Sequence, residues 1–396
     1  MFEAKCEVLS NRDFEFRWYL DSIKMLAVNQ DRTRFVLEGW VLGSQDVAID
    51  TLSIRDGRGV VNIPLSVSRR DVLRKHSVGG VPDVTVQPYC GFRSEIDISG
   101  HEFEIGVVVG GIFQAAACIK FVPPNVVIGS TGWIFLDKDT NGSVAQYRGL
   151  KQVGNDWDAR WKNYFSAIDS YFNGGCKYIF LLAPSKEEVM REEYPFERGG
   201  RTLVDRFLSG YGATIAWPLK ELREQKYLSY DAAETHWTDH GANIAFSKAL
   251  RMIGEETLSK ATSNYEVVSI RGDLGDRLTP PVRSVRLKTL ASLGCELVED
   301  NKIINHGNVK RYTNAGAENS RTLLIFGGSS ANNFLAHAAN IFSQVIFVHT
   351  TGAVDKNMVE RYKPDIVILQ TNQRFIIAPP SPFVDIDIYK AKAGVS

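Results

Sequence analysis

Four predominantly apolar runs after residue 176 constrain the fold of this chain more than any other feature. Each is seven or eight residues long, and they span residues 177–184, 321–328, 344–350 and 364–371. Apolar runs without polar alternation are typical of parallel strands that are buried on both faces. Helical spacing of apolar residues accompanies them, as in residues 157–172 before the first run. This strand–helix alternation predicts an α/β domain, a mostly parallel sheet with helices on both faces.

The beginning of the chain has a different pattern, in which short strand-like segments are separated by turn signals. A Ser-Gly pair at 99–100, for example, lies between two such segments, as the turn of a β-hairpin does. Several short strands at this spacing predict an all-β, sandwich-like domain over residues 1–124, with one helical segment near residues 14–27. Two prolines at 123–124 mark the boundary, so the α/β domain is predicted over residues 125–396.

Composition and charge exclude several classes of protein. The 396 residues are 44% hydrophobic and 23% charged, which excludes a disordered or collagen-like chain. Lys+Arg and Asp+Glu both number 46, and a net charge of zero gives no general attraction to nucleic acid or to an anionic membrane. The longest uncharged apolar stretch, residues 105–119, is too short to span a bilayer. We therefore expect no nucleic-acid partner and no transmembrane segment.

The cysteines and the first residues bear on the compartment. The five cysteines are widely spaced and no pair has C-x-x-C spacing, so neither a disulfide framework nor a zinc site is predicted. Buried free thiols in a reducing compartment are the simplest interpretation. Residues 1–20 carry charges throughout and have no apolar signal core. The sequence thus predicts a cytoplasmic protein, and it gives no prediction of the oligomeric state.

Ser329 is the first candidate for chemistry. It follows two glycines between the apolar run 321–328 and a predicted helix, which is where open α/β sheets place reactive groups. The glycines allow a positive φ and close approach of a substrate, and the N-terminus of the helix supplies N–H groups for an oxyanion. This arrangement suits a nucleophile, although the segment lacks the G-x-S-x-G pattern. The alternative is a tight βα loop in which a serine caps the helix.

A serine nucleophile needs a base, and His236 is the best candidate among the seven histidines. Glu234 lies two residues earlier and can accept from the second ring nitrogen, which would fix the tautomer. Asp231 and Asp239 are alternative orienting acids, and the sequence leaves this choice open. Glu-x-His also suggests a metal site, but no second histidine or cysteine stands at ligand spacing, so no metal is predicted. In the structural alternative, His236 packs under the following helix.

Short motifs from Gly129 onward carry a resemblance to a known family. They are Gly132-Trp133-Ile134-Phe135-Leu136, Tyr147 with Gly149, Ala183-Pro184-Ser185-Lys186, Tyr194-Pro195, Thr235-His236-Trp237 with Gly241-Ala242, Gly327-Gly328-Ser329, and Tyr362-Lys363-Pro364-Asp365-Ile366-Val367. In this order the chain resembles the SGNH-hydrolase-like domain of alginate O-acetyltransferases and related polysaccharide acetyltransferases. The resemblance does not reach the first 124 residues.

The resemblance implies a serine–histidine–acid site. Ser329 stands at the family's nucleophile and His236 at its base, and the order acid, histidine, serine along the chain is that of the family. Two positions depart from the family pattern. Glu234 is one methylene longer than the usual aspartate of Asp-Thr-His-Trp, and Gly328 stands where aspartate is usual.

The implied activity is transfer of an acetyl or small acyl group to a hydroxyl of a bacterial polysaccharide, through an acyl-serine intermediate. Candidate oxyanion and substrate contacts, besides the N–H of Ser329, are Gly328, Asn332, Asn333, Ser185, Lys186 and Arg374. The expected partners are a poly- or oligosaccharide and an acetyl donor, either acetyl-CoA or an acetylated partner. No bound cofactor is expected.

Two alternatives remain at this stage. With water as the acceptor, the same site is a carbohydrate esterase. The departures at Gly328 and Glu234 are also compatible with a domain that binds glycan without turnover. In that case the first domain makes the main contact, and Trp40, Tyr89 and Phe92 are candidates for stacking on sugars, although packing in the core is their other role.

Overall fold

The chain divides into two compact units. A computed structural model describes residues 3–9, 16–28, 31–43, 48–76, 87–122, 125–278, 281–317 and 319–389. The first unit comprises Met1–Pro124 and Asp276–Val282, and the second comprises Asn125–Gly275 and Arg283–Ser396. The two prolines at the predicted boundary lie outside the described residues. None of the helices in the described ranges is long and apolar enough to cross a membrane.

Antiparallel strands make up most of the first unit. Its elements are strands β1 (Glu3–Val8), β2 (Arg17–Val28), β3 (Arg32–Leu42), β4 (Thr51–Asp56), β5 (Gly59–Pro64), β6 (Gly91–Ser99), β7 (Glu102–Val109) and β8 (Ile112–Val122), and helix α1 (Arg70–His76). One sheet has the order β1-β8-β7-β4-β5 and the other β2-β3-β6. Apolar side chains of both sheets share one core, in which the rings of Phe35 and Phe103 lie 5.0 Å apart.

The segment near residues 14–27, predicted to be helical, is strand β2 where the structure describes it. Its pairing with β3 shifts register between Leu20 and Ser22, as at a β-bulge. The extra residue of a bulge interrupts strict alternation. The core-facing side chains of Trp18, Leu20 and Ile23 are therefore two and then three positions apart, a spacing that imitates a helix.

Three aromatic residues and the cysteines of this unit differ in exposure. Phe92 is 3% exposed and belongs to the core, which leaves it unable to stack on a sugar, whereas Tyr89 is 51% exposed. Trp40 is partly exposed and its ring stacks on that of Tyr19 at 6.3 Å. Among the cysteines, the expectation of burial fails at Cys6, whose residue is exposed.

Mixed α/β structure, as predicted, is found in the second unit. Its strands are β9 (Val126–Ile128), β10 (Ile134–Leu136), β11 (Lys177–Ala183), β12 (Ile215–Ala216), β13 (Tyr265–Ile270), β14 (Ser284–Thr289), β15 (Cys295–Asp300), β16 (Val309–Asn314), β17 (Asn319–Gly327), β18 (Phe342–His349) and β19 (Ile366–Asn372). Its α-helices are α2 (Ser143–Tyr147), α3 (Trp157–Phe172), α4 (Lys186–Val189), α5 (Leu203–Tyr211), α6 (Leu219–Glu224), α7 (Lys226–Ser229), α8 (Asp239–Met252), α9 (Glu256–Ser259), α10 (Leu335–Ile341) and α11 (Lys356–Tyr362). Short 3-10 helices cover Gly212–Thr214, Ser329–Phe334 and Gln373–Phe375, and a further one, Gly275–Arg277, begins at the last residue of Asn125–Gly275 and continues into the first-unit segment Asp276–Val282.

One seven-stranded sheet organises this unit, with the order β12-β11-β19-β17-β18-β16-β15. The first five strands are parallel, and β16 and β15 continue the sheet antiparallel. Successive residues of β17 pack on opposite faces: Leu323 and Ile325 join a core with helices α8 and α10, and Leu324 and Phe326 join a core with helices α3 and α5. Burial on both faces explains why these strands read as continuous apolar runs.

The carboxyl ends of the parallel strands meet at one edge of this sheet. Ala183, the last residue of β11, is in register with Asn372 at the end of β19, and Gly327 of β17 is in register with His349 of β18. The polar segments that follow these strands are therefore neighbours in space. This edge carries the candidate site.

Candidate active site

The serine turn lies at the carboxyl end of β17, where Ser329 begins the 3-10 helix Ser329–Phe334. Gly328 has φ −92° and ψ −170°, so its backbone is extended and does not use the positive φ that a glycine allows. Gly327 is required for a different reason, because a Cβ there would lie 2.6 Å from the Cβ of Ala331. Close packing, rather than a left-handed conformation, explains this glycine.

A loop of residues 230–238, here called the histidine loop, carries His236 to the serine. Trp237 is fully buried, and its Nε1 donates to the carbonyl of Ser330 at 2.8 Å, which ties the loop to the serine turn. As a result, Nε2 of His236 lies 2.7 Å from Oγ of Ser329. The structure thus places within hydrogen-bond distance two residues that are 93 positions apart.

Glu234 is the acid that contacts the histidine. Its Oε1 lies 2.5 Å from Nδ1 of His236, an arrangement that favours a proton on Nδ1 and leaves Nε2 to accept from the serine. The two alternative acids are engaged elsewhere. Asp231 accepts from the hydroxyl of Ser284, and Asp239 accepts from a backbone N–H of strand β14.

Hydrogen bonding keeps Glu234 in its charged form. Burial acts to raise the pKa of this carboxyl, but the hydrogen bonds with His236 and Asp273 outweigh burial, and the pKa is lowered. The carboxylate is therefore ionised at neutral pH. A carboxylate at this position stabilises a positive charge on the imidazole.

Asp273, which was not predicted from the sequence, holds Glu234 in position by hydrogen bonds. Its backbone N–H donates to Oε2 of Glu234 at 3.1 Å, and its carboxylate accepts from both the N–H and the hydroxyl of Thr235 at 2.7 Å. Desolvation and the charge of Glu234 raise the pKa of Asp273. Gly272 allows the approach, since it has φ +68° and a Cβ there would lie 2.2 Å from the carbonyl oxygen of Ala233. In the sequence, only the Gly272-Asp273 pair could have suggested a turn that carries an acid, and it lies 39 positions from Glu234.

Glu234→Gln tests the role of this acid. Glutamine has a similar size, but it provides no negative charge to an imidazolium and does not hold the required tautomer. We expect kcat for ester turnover to fall by about 10⁴-fold, which is less than the loss of the serine or the histidine would cause. Steady-state kinetics on a chromogenic acetyl ester measures this effect. An unchanged kcat would show that Glu234 does not orient the histidine during turnover.

Two of the candidate oxyanion donors already donate hydrogen bonds to other groups of the protein. The N–H of Gly328 donates to Oε1 of Gln370 at 2.8 Å. The side-chain amide of Asn333 donates to the carbonyl of Trp237 at 2.8 Å, which adds a second tie between the serine turn and the histidine loop. Both groups therefore shape the site rather than point at a substrate.

The remaining donors lie at the start of the serine turn. The side-chain amide of Asn332 donates to the carbonyl of Ser329 at 3.1 Å, and its oxygen accepts from Nζ of Lys310 at 2.9 Å. The first N–H groups of a helical turn have no acceptor within that turn. The N–H of Ser329 is thus the group best placed to donate a hydrogen bond to an oxyanion.

Lys186, predicted as a substrate contact, is buried beneath the histidine loop. It is 3% exposed, and its Nζ donates to the carbonyls of Ile134, Ala232 and Glu234 at 2.7, 3.0 and 3.1 Å. Two aromatic rings flank the ammonium group at about 5 Å. Burial lowers the pKa of Lys186 to about 7. Two of these hydrogen bonds hold the backbone of the histidine loop, at Ala232 and at Glu234 itself. Lys186 is therefore a positioning residue for the acid.

Replacing Lys186 with methionine keeps the length of the side chain but leaves these three carbonyls without their donor. We expect kcat for ester turnover to fall by about 10- to 100-fold, since a displacement of about 1 Å at a reacting group has an effect of this size. KM should change much less, because the ammonium group of Lys186 is directed to backbone carbonyls. Equal changes in kcat and KM, or none, would contradict a positioning role. Thermal unfolding of the variant separates misplacement of the acid from loss of the fold.

Two depressions in the second unit lie beside the Glu234–His236–Ser329 group. One is a small pocket, lined in part by Ser143, Ser185, Glu187, Asn372 and Arg374. The other is a more open groove, lined in part by Asn308, Lys310, Ser329, Asn332 and His349. Ser185 and Arg374 thus share a pocket, whereas the serine itself opens onto the groove. Burial lowers the pKa of His349, which the sequence did not single out, to about 4, so it is neutral there.

Three side chains of the site could also face a metal ion. Glu234, His236 and Asp273 bring potential ligand atoms within 4.8 Å of one another. Their atoms are already engaged, because Nδ1 of the imidazole is bonded to Glu234 and the Asp273 carboxylate accepts from Thr235. A metal ion would have to replace the contact that orients the histidine. The hydrogen bonds therefore favour a serine–histidine–acid group at this position.

No protein-family model matches the chain, and a search of curated proteins finds no match. Solved structures share part of its fold. PatB1 of Bacillus cereus is 11% identical with a TM-score of 0.46, and the match covers 66% of this chain and 98% of that one. The O-acetyltransferase domain of Pseudomonas putida AlgJ is 15% identical with a TM-score of 0.42, covering 68% and 99%. A DHHW family protein from Eubacterium siraeum is 12% identical with a TM-score of 0.45, covering 66% and 100%. Values this low do not decide what this chain does.

Proposed function

We propose that this protein transfers an acyl group, acetyl in the simplest case, to a sugar hydroxyl of a glycan through an acyl-serine intermediate. The observation that carries the proposal is the hydrogen-bonded series from Glu234 through His236 to Ser329, with distances of 2.5 and 2.7 Å. A serine hydroxyl bonded to an oriented imidazole is an activated nucleophile. The motif order described above supports a glycan as the acceptor.

In the first half-reaction, Oγ of Ser329 attacks the carbonyl carbon of the donor ester or thioester. His236 takes the hydroxyl proton at Nε2, and the charge of Glu234 stabilises the imidazolium. The tetrahedral oxyanion accepts from the N–H of Ser329. When the intermediate collapses, the bond to the leaving alcohol or thiol breaks and His236 returns the proton to that group. The acyl group is then esterified to Ser329.

In the second half-reaction, a sugar hydroxyl replaces the departed group. His236 removes its proton as the oxygen attacks the acyl carbon, and the proton then passes to Oγ of Ser329. The acceptor enters by the groove, which Ser329 itself lines together with Lys310 and His349. The donor is an acetylated partner or acetyl-CoA, and the chain needs no bound cofactor for either step.

Hydrolysis is the second candidate activity, and one observation favours it. The side chain of His236 is 21% exposed, so water has access to the base. An acceptor that does not fill the groove leaves water to attack the acyl-serine, which gives an ester hydrolase with the same residues.

Trapping the intermediate tests the proposal. The purified protein is mixed with a chromogenic acetyl ester, quenched, and its intact mass and peptide masses are measured with and without added oligosaccharides. We expect an adduct of one acetyl group on Ser329 and acetylated sugar when an acceptor is present. Free acetate alone, at an unchanged rate, would indicate the hydrolase. A folded protein with neither adduct nor turnover on several donors would overturn both and favour glycan binding without catalysis.

A further inference from the structure

The pocket beside the serine turn has features that the transfer mechanism does not use. We call it the Arg374 pocket and define it by Ser143, Ser185, Glu187, Asn372 and Arg374. Asn372 ends β19, Arg374 follows that strand, and Ser185 follows β11, so the pocket lies at the same edge of the sheet as Ser329. Its polar lining is largely buried, with Ser143 3% and Glu187 7% exposed.

Arg374 brings a positive charge to this pocket. Among the described residues, no carboxylate or carbonyl lies within ion-pair or hydrogen-bond distance of its guanidinium group, which lies 5.0 Å over the ring of Phe375 and acts on Glu187 only through its charge. The backbone of Arg374 is fixed, because Nε2 of Gln146 donates to its carbonyl at 2.8 Å. The second cation at the pocket, Lys186, directs its donors to backbone carbonyls. The pocket thus offers one free guanidinium on a held backbone.

The hydroxyl of Ser143 is a second, independent observation that points to a ligand site. Its Oγ is buried and has no hydrogen-bond partner within the described ranges, although a buried hydroxyl ordinarily has one. The N–H of the same residue is satisfied, since it donates to Oδ1 of Asp139 at 2.7 Å. An oxygen atom of a bound anion would accept a hydrogen bond from this hydroxyl, and Arg374 would supply the positive charge that balances the anion.

We propose that the Arg374 pocket binds a carboxylate carried by the substrate, through the guanidinium of Arg374 and the hydroxyl of Ser143. A planar guanidinium matches a carboxylate with two parallel hydrogen bonds. Glu187 favours a singly charged anion. Burial raises the pKa of this acid to about 7, so its neutral form can donate to a bound carboxylate, and its ionised form repels a phosphate of charge near −2 more strongly than a carboxylate of charge −1. This inference rests on the proposed acyl transfer, because it concerns the substrate of the same site.

The carboxylate can belong to the acyl group or to the alcohol, and a set of chromogenic esters distinguishes these sources. The neutral reference is an acetyl ester; one analogue carries a carboxylate on the acyl group, as a hemisuccinyl ester, and another carries it on the aryl leaving group. We expect the protein to prefer one analogue over the neutral ester by about 10- to 100-fold in kcat/KM, the range for a charge-assisted hydrogen-bonded pair. Propionate should compete with that analogue, and propionamide and inorganic phosphate should not.

Variants assign the effect to the pocket. Arg374→Gln should bring the preference close to one, and Ser143→Ala should reduce it by about 3- to 10-fold, as expected for one neutral hydrogen bond. Arg148→Gln is the matched control, since Arg148 also lies over an aromatic ring but is exposed and outside the pocket. A preference that survives Arg374→Gln, or no preference for either analogue, would overturn the inference. Ser329-dependent turnover of the neutral ester is a separate readout, so the proposed acyl transfer can stand when the carboxylate site fails.

Discussion

Ser329→Ala is expected to lower kcat for ester turnover by about 10⁶-fold, to a residual rate that reflects binding and the oxyanion donor alone. The reason is that no other atom can form the acyl ester at this position. Oγ of Ser329 is the group within 2.7 Å of the base, and it opens onto the groove through which an acceptor can enter. The acetyl adduct seen on the wild-type protein should disappear together with the turnover.

The same variant should leave the fold intact. Ser329 is partly exposed, and its hydroxyl makes one hydrogen bond to His236, a contact worth about 1 kcal/mol in stability at most sites. Ser209→Ala is the matched control, because Ser209 is exposed on helix α5 and its hydroxyl bonds only locally to Arg206. Thermal unfolding of both variants should resemble that of the wild type. Turnover that persists at the wild-type rate in Ser329→Ala would remove this serine from the mechanism.

The sequence predicts the parallel strands better than any other part of the fold. Strands β11, β17, β18 and β19 form within two residues of the predicted apolar runs, and helix α3 covers the predicted segment Trp157–Phe172. These elements are buried on both faces of the sheet, so their sequences carry the strongest apolar signal. The hairpin of β13 and β14 was not predicted, because only one of its twelve residues is buried and burial therefore leaves no pattern in the sequence there.

Within the site, the sequence placed the reactive groups but not their supports. Ser329 and His236 were found because a serine after a strand and a histidine beside an acid suit one chemistry. The choice among Glu234, Asp231 and Asp239 depended on the path of the histidine loop, which local sequence does not specify. Lys186 was predicted to face the substrate because it follows the apolar run 177–184 at the carboxyl end of a strand. Three backbone carbonyls accept from its ammonium group instead, and backbone groups are invisible to sequence patterns.

His236→Ala should match the loss caused by Ser329→Ala, and the double variant should be no slower than either single one. Residues that act as one unit are strongly non-additive, because removing the base leaves the serine hydroxyl protonated and unreactive, and removing the serine leaves the base without a proton to accept. Rates of the two single variants and the double variant on the same chromogenic ester measure this coupling.

The pH dependence adds a test that a purely structural histidine would not satisfy. Protonation of the imidazole occupies Nε2, the atom bonded to Oγ of Ser329, so the wild-type rate should fall as acid protonates the base. Glu234, whose pKa is lowered by its hydrogen bonds, keeps its charge at neutral pH. The acid limb of the pH–rate profile should be absent from the residual activity of His236→Ala. Additive losses in the double variant, together with an unchanged acid limb, would show that His236 and Ser329 act independently, and the transfer mechanism would then need a different base.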